Sequence, residues 1–320
     1  MGLFISHQSA LEYWRIHYDA PQKGTSRRNA MLPDTPAKTD LLQAESLKVL
    51  SRPLHVMLGS QSARRVHRQV VQHIYGGKTP AGCFVSVGEG IMITSPEFCF
   101  LQLADELPLV KLIELGYELC GTYSMPVSLD SAKGAGQPAR GFNLRLPITS
   151  TKKLKAFLEQ VPGVKGHKKA VRALRYIADG AASPMEAKLA ILLTLPYKLG
   201  GYHFPAPELN SRIIPAKTAK RGASKGHYAC DLFWPDYDLA VEYDSDTYHT
   251  GPERIAADSK KRNALALMGI TVITVTKEQV YSIVELEKVV HVLAGNMGRR
   301  LWNDNPGFGA THRELRKLLF

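Results

Sequence analysis

The stretch Asp231-Leu-Phe-Trp-Pro-Asp-Tyr-Asp-Leu-Ala-Val-Glu242-Tyr-Asp244 carries acids at a spacing that can bring carboxylates together. Two apolar and aromatic runs, Tyr228–Trp234 and Leu239–Tyr243, flank the turn formers Pro235, Asp236, Tyr237 and Asp238. A two-residue reversal at Asp236 and Tyr237 would set Pro235 against Asp238, and the same register places Asp231 opposite Glu242. Side chains alternate along a strand, so Asp244 would share the face of Glu242. Opposed Cβ atoms in such a pair lie about 5 Å apart, where like charges destabilise it. A hard divalent cation, which takes carboxylate oxygens, would remove that repulsion. The alternative is acids solvated on an open sheet face with no ligand. The Asn-Gly or Asp-Gly pair that marks a type I′ turn is absent, so the register is inferred from spacing.

The elements that must position these acids are legible in outline. Ser183-Pro184-Met185-Glu186 opens a helix to about Thr194, with Ser183 as N-cap and Pro184 in the first turn. Glu208–Pro215 reads as a strand and 216–226 as a basic loop ahead of the hairpin. A helix starts at Gly251-Pro252-Glu253 and ends at Gly269, followed by a β-branched strand at Ile270–Val275 and a helical run at Lys277–Asn296. Helix, three strands, helix, strand, helix gives a mixed α/β arrangement. Upstream, Ser9–Tyr18, Asp40–Leu50 and the basic Ser60–His73 read as helices. Pro53–Leu58 reads as a strand, and Phe84–Val87 with Ile91–Thr94 as a hairpin around Gly88-Glu89-Gly90. Ser95-Pro96-Glu97 opens another helix. The expected organisation is an α+β domain at 1–127, a linker or long loop at 128–141, a basic helical region at 142–182 and the acid-bearing domain at 183–320.

With 320 residues and 44% apolar content, the chain can bury a sizeable core. No apolar run is long enough to cross a bilayer, and the N-terminus does not read as a signal peptide. Cys83, Cys99, Cys120 and Cys230 form no C-x-x-C pair, which argues against structural zinc cysteines and a disulfide framework. A cytoplasmic protein with reduced thiols and no membrane partner is expected. The formal charge of +12 favours polyanions, nucleic acid first. It is clustered: Lys152, Lys153, Lys155, Lys165, Lys168, Lys169, Arg172 and Arg175 form one run, and Arg212, Lys217, Lys220, Arg221 and Lys225 another. Either run read alone is equally a solvated face.

Taken in order, Ser183-Pro184-Met185-Glu186, Asp231, Glu242-Tyr243-Asp244, Tyr248-His249, Asp258-Ser259-Lys260-Lys261-Arg262 and Gly269-Ile-Thr-Val272 resemble the PD-(D/E)XK nuclease superfamily, in particular the branch related to very-short-patch-repair endonucleases. The resemblance covers roughly residues 180–280. It implies a mixed-sheet, restriction-endonuclease-like core flanked by helices, with a smaller N-terminal α+β domain before it. More weakly, Leu54-His55-Val56, Arg64-Arg65 and Thr94-Ser95-Pro96 are similar to AbiEi-type antitoxin and regulator regions. One position departs: Asp244 stands where the superfamily motif has lysine. The related branch often has Asp there. Lys260 or Lys261 could supply the amine, or His249 could take over its role.

The resemblance implies phosphodiester hydrolysis in DNA. Asp231 and Glu242 would ligate Mg²⁺ or Mn²⁺, with Glu186 completing the set or orienting a water. Asp244 would hold a second cation or position His249, and His249 would transfer a proton. Simpler readings stand beside these: Glu186 favoured by a helix dipole, His249 a satisfied loop histidine, Asp258 and Arg262 an i,i+4 pair. Lys217, Lys220, Arg221, Lys225, Lys168, Lys169, Arg172, Lys260 and Arg262 would contact the phosphate backbone. The expected activity is an Mg-dependent endodeoxyribonuclease in phage defence or DNA repair. A homodimer or a toxin–antitoxin or defence partner is compatible with it. The alternatives are a DNA-binding regulator or antitoxin with a non-catalytic nuclease-like domain, and an RNA-directed nuclease or toxin component.

Overall fold

The computed structural model describes residues 2–17, 27–28, 31–34, 39–127, 141–214, 227–244, 252–303 and 307–320. It is an α/β protein of two compact units, Met1–Ile177 and Ala178–Phe320. The basic loop at 216–226, His249 and nearly all of the expected linker lie outside the described residues.

The first unit is built on a mixed sheet in the order β2-β5-β6-β1-β3-β4. Its strands are β1 (Leu3–Ile5), β2 (Arg27–Arg28), β3 (Leu54–Leu58), β4 (Val70–Ile74), β5 (Phe84–Gly88) and β6 (Ile91–Thr94). Helix α1 (His7–Ile16) follows β1, while α2 (Pro96–Glu106) and α3 (Leu109–Cys120) follow β6. Ser95 caps α2 as expected, its hydroxyl accepting from Phe98 N. The short pair β7 (Tyr123–Ser124) and β8 (Asn143–Leu144) leads to α4 (Thr151–Glu159) and α5 (His167–Leu174). These two basic helices pack on α2 and α3 within the same unit. Helix α4 buries Leu154, Phe157 and Leu158, each worth about 1.5–3 kcal/mol of transfer free energy. Where α3 meets the end of this unit, a Cβ on Gly116 would lie 2.1 Å from Ile177 Cδ1, so a methyl there would force the Ile177 side chain to shift.

Glu118 ties the unit together. Its carboxylate accepts from Arg15 Nε (2.8 Å) and Nη2 (2.7 Å) on α1 and from Met125 N (3.0 Å). Its carbonyl accepts from Arg145 Nη2 at 2.6 Å, and Arg145 Nε reaches Tyr123 O at 2.7 Å.

Two helices expected here are not formed. Ser60–His73 is a 3-10 turn at Gln61–Ala63 followed by β4. From Gln61 to Val70 only Ala63 and Val70 are buried, so there is no apolar stripe for a helix to bury. The β-branched Val70 and Val71 pair in parallel with β3 instead. Asp40–Leu50 is likewise two 3-10 turns, Thr39–Gln43 and Glu45–Leu47, too short to offset the cost of nucleating an α-helix.

The second unit opens with α6 (Pro184–Thr194), whose N-cap hydroxyl, Ser183 Oγ, accepts from Glu186 N at 3.2 Å. Its four-stranded sheet has the order β12-β11-β10-β9, with β9 (Glu208–Ile213), β10 (Tyr228–Trp234), β11 (Leu239–Asp244) and β12 (Thr271–Thr276). Neighbours are antiparallel except β11 and β12, which are parallel. Helix α7 (Pro252–Leu267) makes that crossover. Gly269, at φ +80°, turns the chain from α7 into β12. The long helical run expected after β12 is broken into α8 (Lys277–Tyr281) and α9 (Ile283–Asn296), because the Ser282 hydroxyl caps a new helix by accepting from Glu285 N. Helix α10 (Phe308–Leu319) completes the unit, and Arg316 donates to the carbonyls of Val280 and Tyr281.

Candidate active site

The hairpin ladder runs Leu232↔Val241, Phe233↔Ala240 and Trp234↔Leu239, the register read from the sequence. The reversal itself differs. Pro235–Tyr237 forms a 3-10 turn and Asp238 sits in the left-handed region at φ 45°, so four residues make the loop. Pro235 has no N–H to give to the ladder, while its carbonyl accepts from Asp238 N at 3.2 Å. At the other end of the ladder, Asp231 Oδ2 accepts from Tyr243 N at 2.7 Å, a side chain pairing with strand backbone.

Glu186 is buried in the first turn of α6. Its Oε2 accepts from Ala182 N at 2.9 Å and from Asn210 Nδ2 at 2.7 Å. Burial nonetheless holds its carboxyl above the usual range, with Glu242 adding to the rise. Asp231 is pushed from 3.8 up to about 7, by burial first and then by the charges of Glu186 and Glu242. The three acids named from the sequence are therefore electrostatic neighbours. They arrive from α6, β10 and β11.

Of the two lysines considered for the amine, Lys261 is the one that reaches a strand acid. Its Nζ lies 2.7 Å from Glu242 Oε1, with both side chains about three-quarters covered (28% and 24% exposed). Lys260 and Arg262 are exposed on either side of it. The signal was present in helical phase: Lys261 precedes the buried Ala264 and Leu265 by three and four residues, so it shares their sheet-facing stripe. Beside the pair, burial and Glu242 raise the Cys230 thiol, keeping it protonated.

Asn210 went unread in the sequence. It lies on β9 at φ 48°, where its side chain bridges Glu186 and the carbonyl of Gly180 (3.1 Å). An Asn between strand-forming neighbours was its only mark, since Asn tolerates the left-handed region.

Asp244 is half-buried at the end of β11, paired with Thr276. Asp258 is exposed on α7. His249, Lys217, Lys220, Arg221 and Lys225 lie outside the described residues. In the first unit, Lys168 and Arg172 are exposed one turn apart on α5, whereas Lys169 donates to the carbonyls of Asp105 (3.3 Å) and Leu107 (3.0 Å) at the end of α2.

The donor set would suit a hard divalent cation: two strand acids with buried Glu186 near them and one amine beside Glu242. Magnesium is held by one or two carboxylates with waters completing its shell, so Asp231 and Glu242 suffice with Glu186 behind them. The acids do not form a tight all-protein cage. Among the described residues, the group of three His, Cys, Asp or Glu ligand atoms within 4.8 Å of one another is His7, His73 and Glu106, in the first unit.

No family model matches the chain. Two uncharacterized proteins of Mycobacterium tuberculosis, one from strain CDC 1551 / Oshkosh and one from strain ATCC 25618 / H37Rv, are each 30% identical over 112 residues, 35% of this chain and 36% of the relative. The match thus spans about a third of those relatives. No solved structure matches. No helix among the described residues is long and apolar enough to cross a membrane.

Proposed function

We propose that the chain is a metal-dependent endodeoxyribonuclease of the PD-(D/E)XK type, close to the very-short-patch-repair branch, acting in DNA repair or phage defence. What carries this reading is the cluster of Glu186, Asp231, Glu242 and Lys261, with Lys261 Nζ 2.7 Å from Glu242. Asp231 and Glu242, backed by Glu186, would hold Mg²⁺ or Mn²⁺. When bound, the ion supplies charge neutralisation at the phosphoryl oxygens and a water of lowered pKa. Lys261 sets a fixed positive charge beside the acids, where negative charge develops on the scissile phosphate. Asn210 and the Ser183 cap hold Glu186 in place. His249 would carry the proton between water or leaving oxygen and solvent.

DNA is the proposed substrate because the chain carries a formal charge of +12. Lys168 and Arg172, with the basic residues of 216–226, would grip the backbone. The N-terminal unit would act as a regulator-like module of the AbiEi type, and a second copy or a defence partner is compatible with it.

The test is incubation of supercoiled plasmid with the protein and Mg²⁺ or Mn²⁺. Wild type is expected to nick or linearise it, and Glu242→Ala to lose cleavage while retaining DNA. DNA retarded but left intact by wild type in both metals would support the second reading, a DNA-binding regulator with an inert nuclease-like unit. That second reading rests on Asp244 standing where the wider superfamily motif has lysine, a position at which the related branch often has Asp.

A further inference from the structure

We propose that the first unit carries a transition-metal site of the class that suits zinc, with His7, His73 and Glu106 as ligands and His55 orienting His73. One ligand atom from each of the three lies within 4.8 Å of the other two. They come from separate elements: His7 opens α1, His73 lies on β4 and Glu106 ends α2. His55 lies on β3, the parallel neighbour of β4.

One ring nitrogen of each histidine already has a polar neighbour. His7 Nδ1 is 3.0 Å from Ser6 Oγ, and His73 Nε2 is 3.1 Å from His55 Nδ1. With Nδ1–H of His7 donating to the serine and Nε2–H of His73 donating to His55, each ring keeps a lone pair on its other nitrogen. A metal-bound imidazole is held in this way, one nitrogen on the ion and the other donating to a polar neighbour.

The His7 backbone is left-handed, at φ 49°, a region uncommon for residues other than glycine. Gln102 Oε1 accepts the His7 N–H at 3.1 Å, and the Cys99 thiol donates to the His7 carbonyl at 3.5 Å. Strain held in this way concentrates at functional positions. The His7 and His73 rings lie face to face, centroids 3.5 Å apart and 14° from parallel. Chelation requires them to turn out of this stack until their lone pairs converge.

Two imidazoles and a carboxylate suit zinc ahead of magnesium or calcium. Glu106 is exposed, so the site opens to solvent, and three protein ligands leave a position for water or a small anion.

The test titrates the EDTA-treated full-length chain with Zn²⁺ by calorimetry and with Co²⁺ by visible absorption. Wild type and Glu242→Ala are expected to bind one Zn²⁺ per chain and to develop the bands of four-coordinate Co²⁺. Glu106→Gln, an exposed and fold-neutral change, should weaken Zn²⁺ more than tenfold, and His73→Gln should abolish the Co²⁺ bands. A thermal melt checks that His73→Gln is folded. Wild type that binds no Zn²⁺, affinity unchanged in Glu106→Gln, or Zn²⁺ lost in Glu242→Ala would each overturn the site.

Discussion

Replacing Asp231 by Asn should stabilise the metal-free protein at high pH, the opposite of what removing a buried hydrogen-bonding acid ordinarily does. In the folded chain this carboxyl is raised from 3.8 to about 7 by burial and by Glu186 and Glu242. At 1.36 kcal/mol per pH unit, holding it ionised above pH 7 costs about 4 kcal/mol. Asn keeps an oxygen for Tyr243 N but gives a neutral bond in place of a charge-assisted one, a loss of about 1 kcal/mol. The net gain is about 3 kcal/mol, or roughly 10 °C in the melting transition of a unit this size. The sign follows from proton linkage. The folded state binds the extra proton, so wild-type stability is full below pH 3.8 and falls as pH rises to about 7. The advantage of Asp231→Asn should therefore open across that window and stay constant above it. Calorimetric melts in EDTA at pH 5 and pH 8.5 measure it. Mg²⁺ should then reverse the order at pH 8.5, because wild type gains about 4.1 kcal/mol at a thousand times the dissociation constant and the variant gains little. An Asn variant no more stable than wild type at pH 8.5, or a gap independent of pH, would refute the reasoning.

Lys261→Gln removes the amine beside Glu242 and should lower plasmid-cleavage turnover by about 10²–10³ while leaving DNA retention near wild type in gel shift. Gly116→Ala should destabilise the first unit by about 1–3 kcal/mol in urea titration, because the new methyl would meet Ile177 Cδ1 at 2.1 Å. Ser183→Ala removes the cap of α6 and should cost about 1 kcal/mol by the same measurement.

The hairpin register was legible because Trp234 and Leu239 bracket the turn formers and pleat alternation permits few pairings. The loop was misread because Pro235 shifts the reversal into a 3-10 turn, a choice made by one missing N–H. Ser183 and Pro184 announced α6 and so placed Glu186 near a helix start. Its partner Asn210 is 24 residues away, and only the fold brings β9 alongside α6. Lys261 could be separated from Lys260 by helical phase, but its match to Glu242 depends on the parallel crossover from β11 to β12. The basic run at Ser60–His73 misled because charge spacing imitates a helix face whether or not anything apolar lies behind it.

The single carboxylate at Glu118, reached by Arg15 from one end of the sequence and by Met125 just beyond α3, limits how this unit can be cut. With Arg145 anchored on the same residue's carbonyl, no break between α1 and β8 yields a fragment with its own polar accounts closed. Trimming the first helix would strand an anion in the interior, at a cost of several kcal/mol. Gene fusion or domain shuffling can therefore carry this half of the protein only as an undivided block.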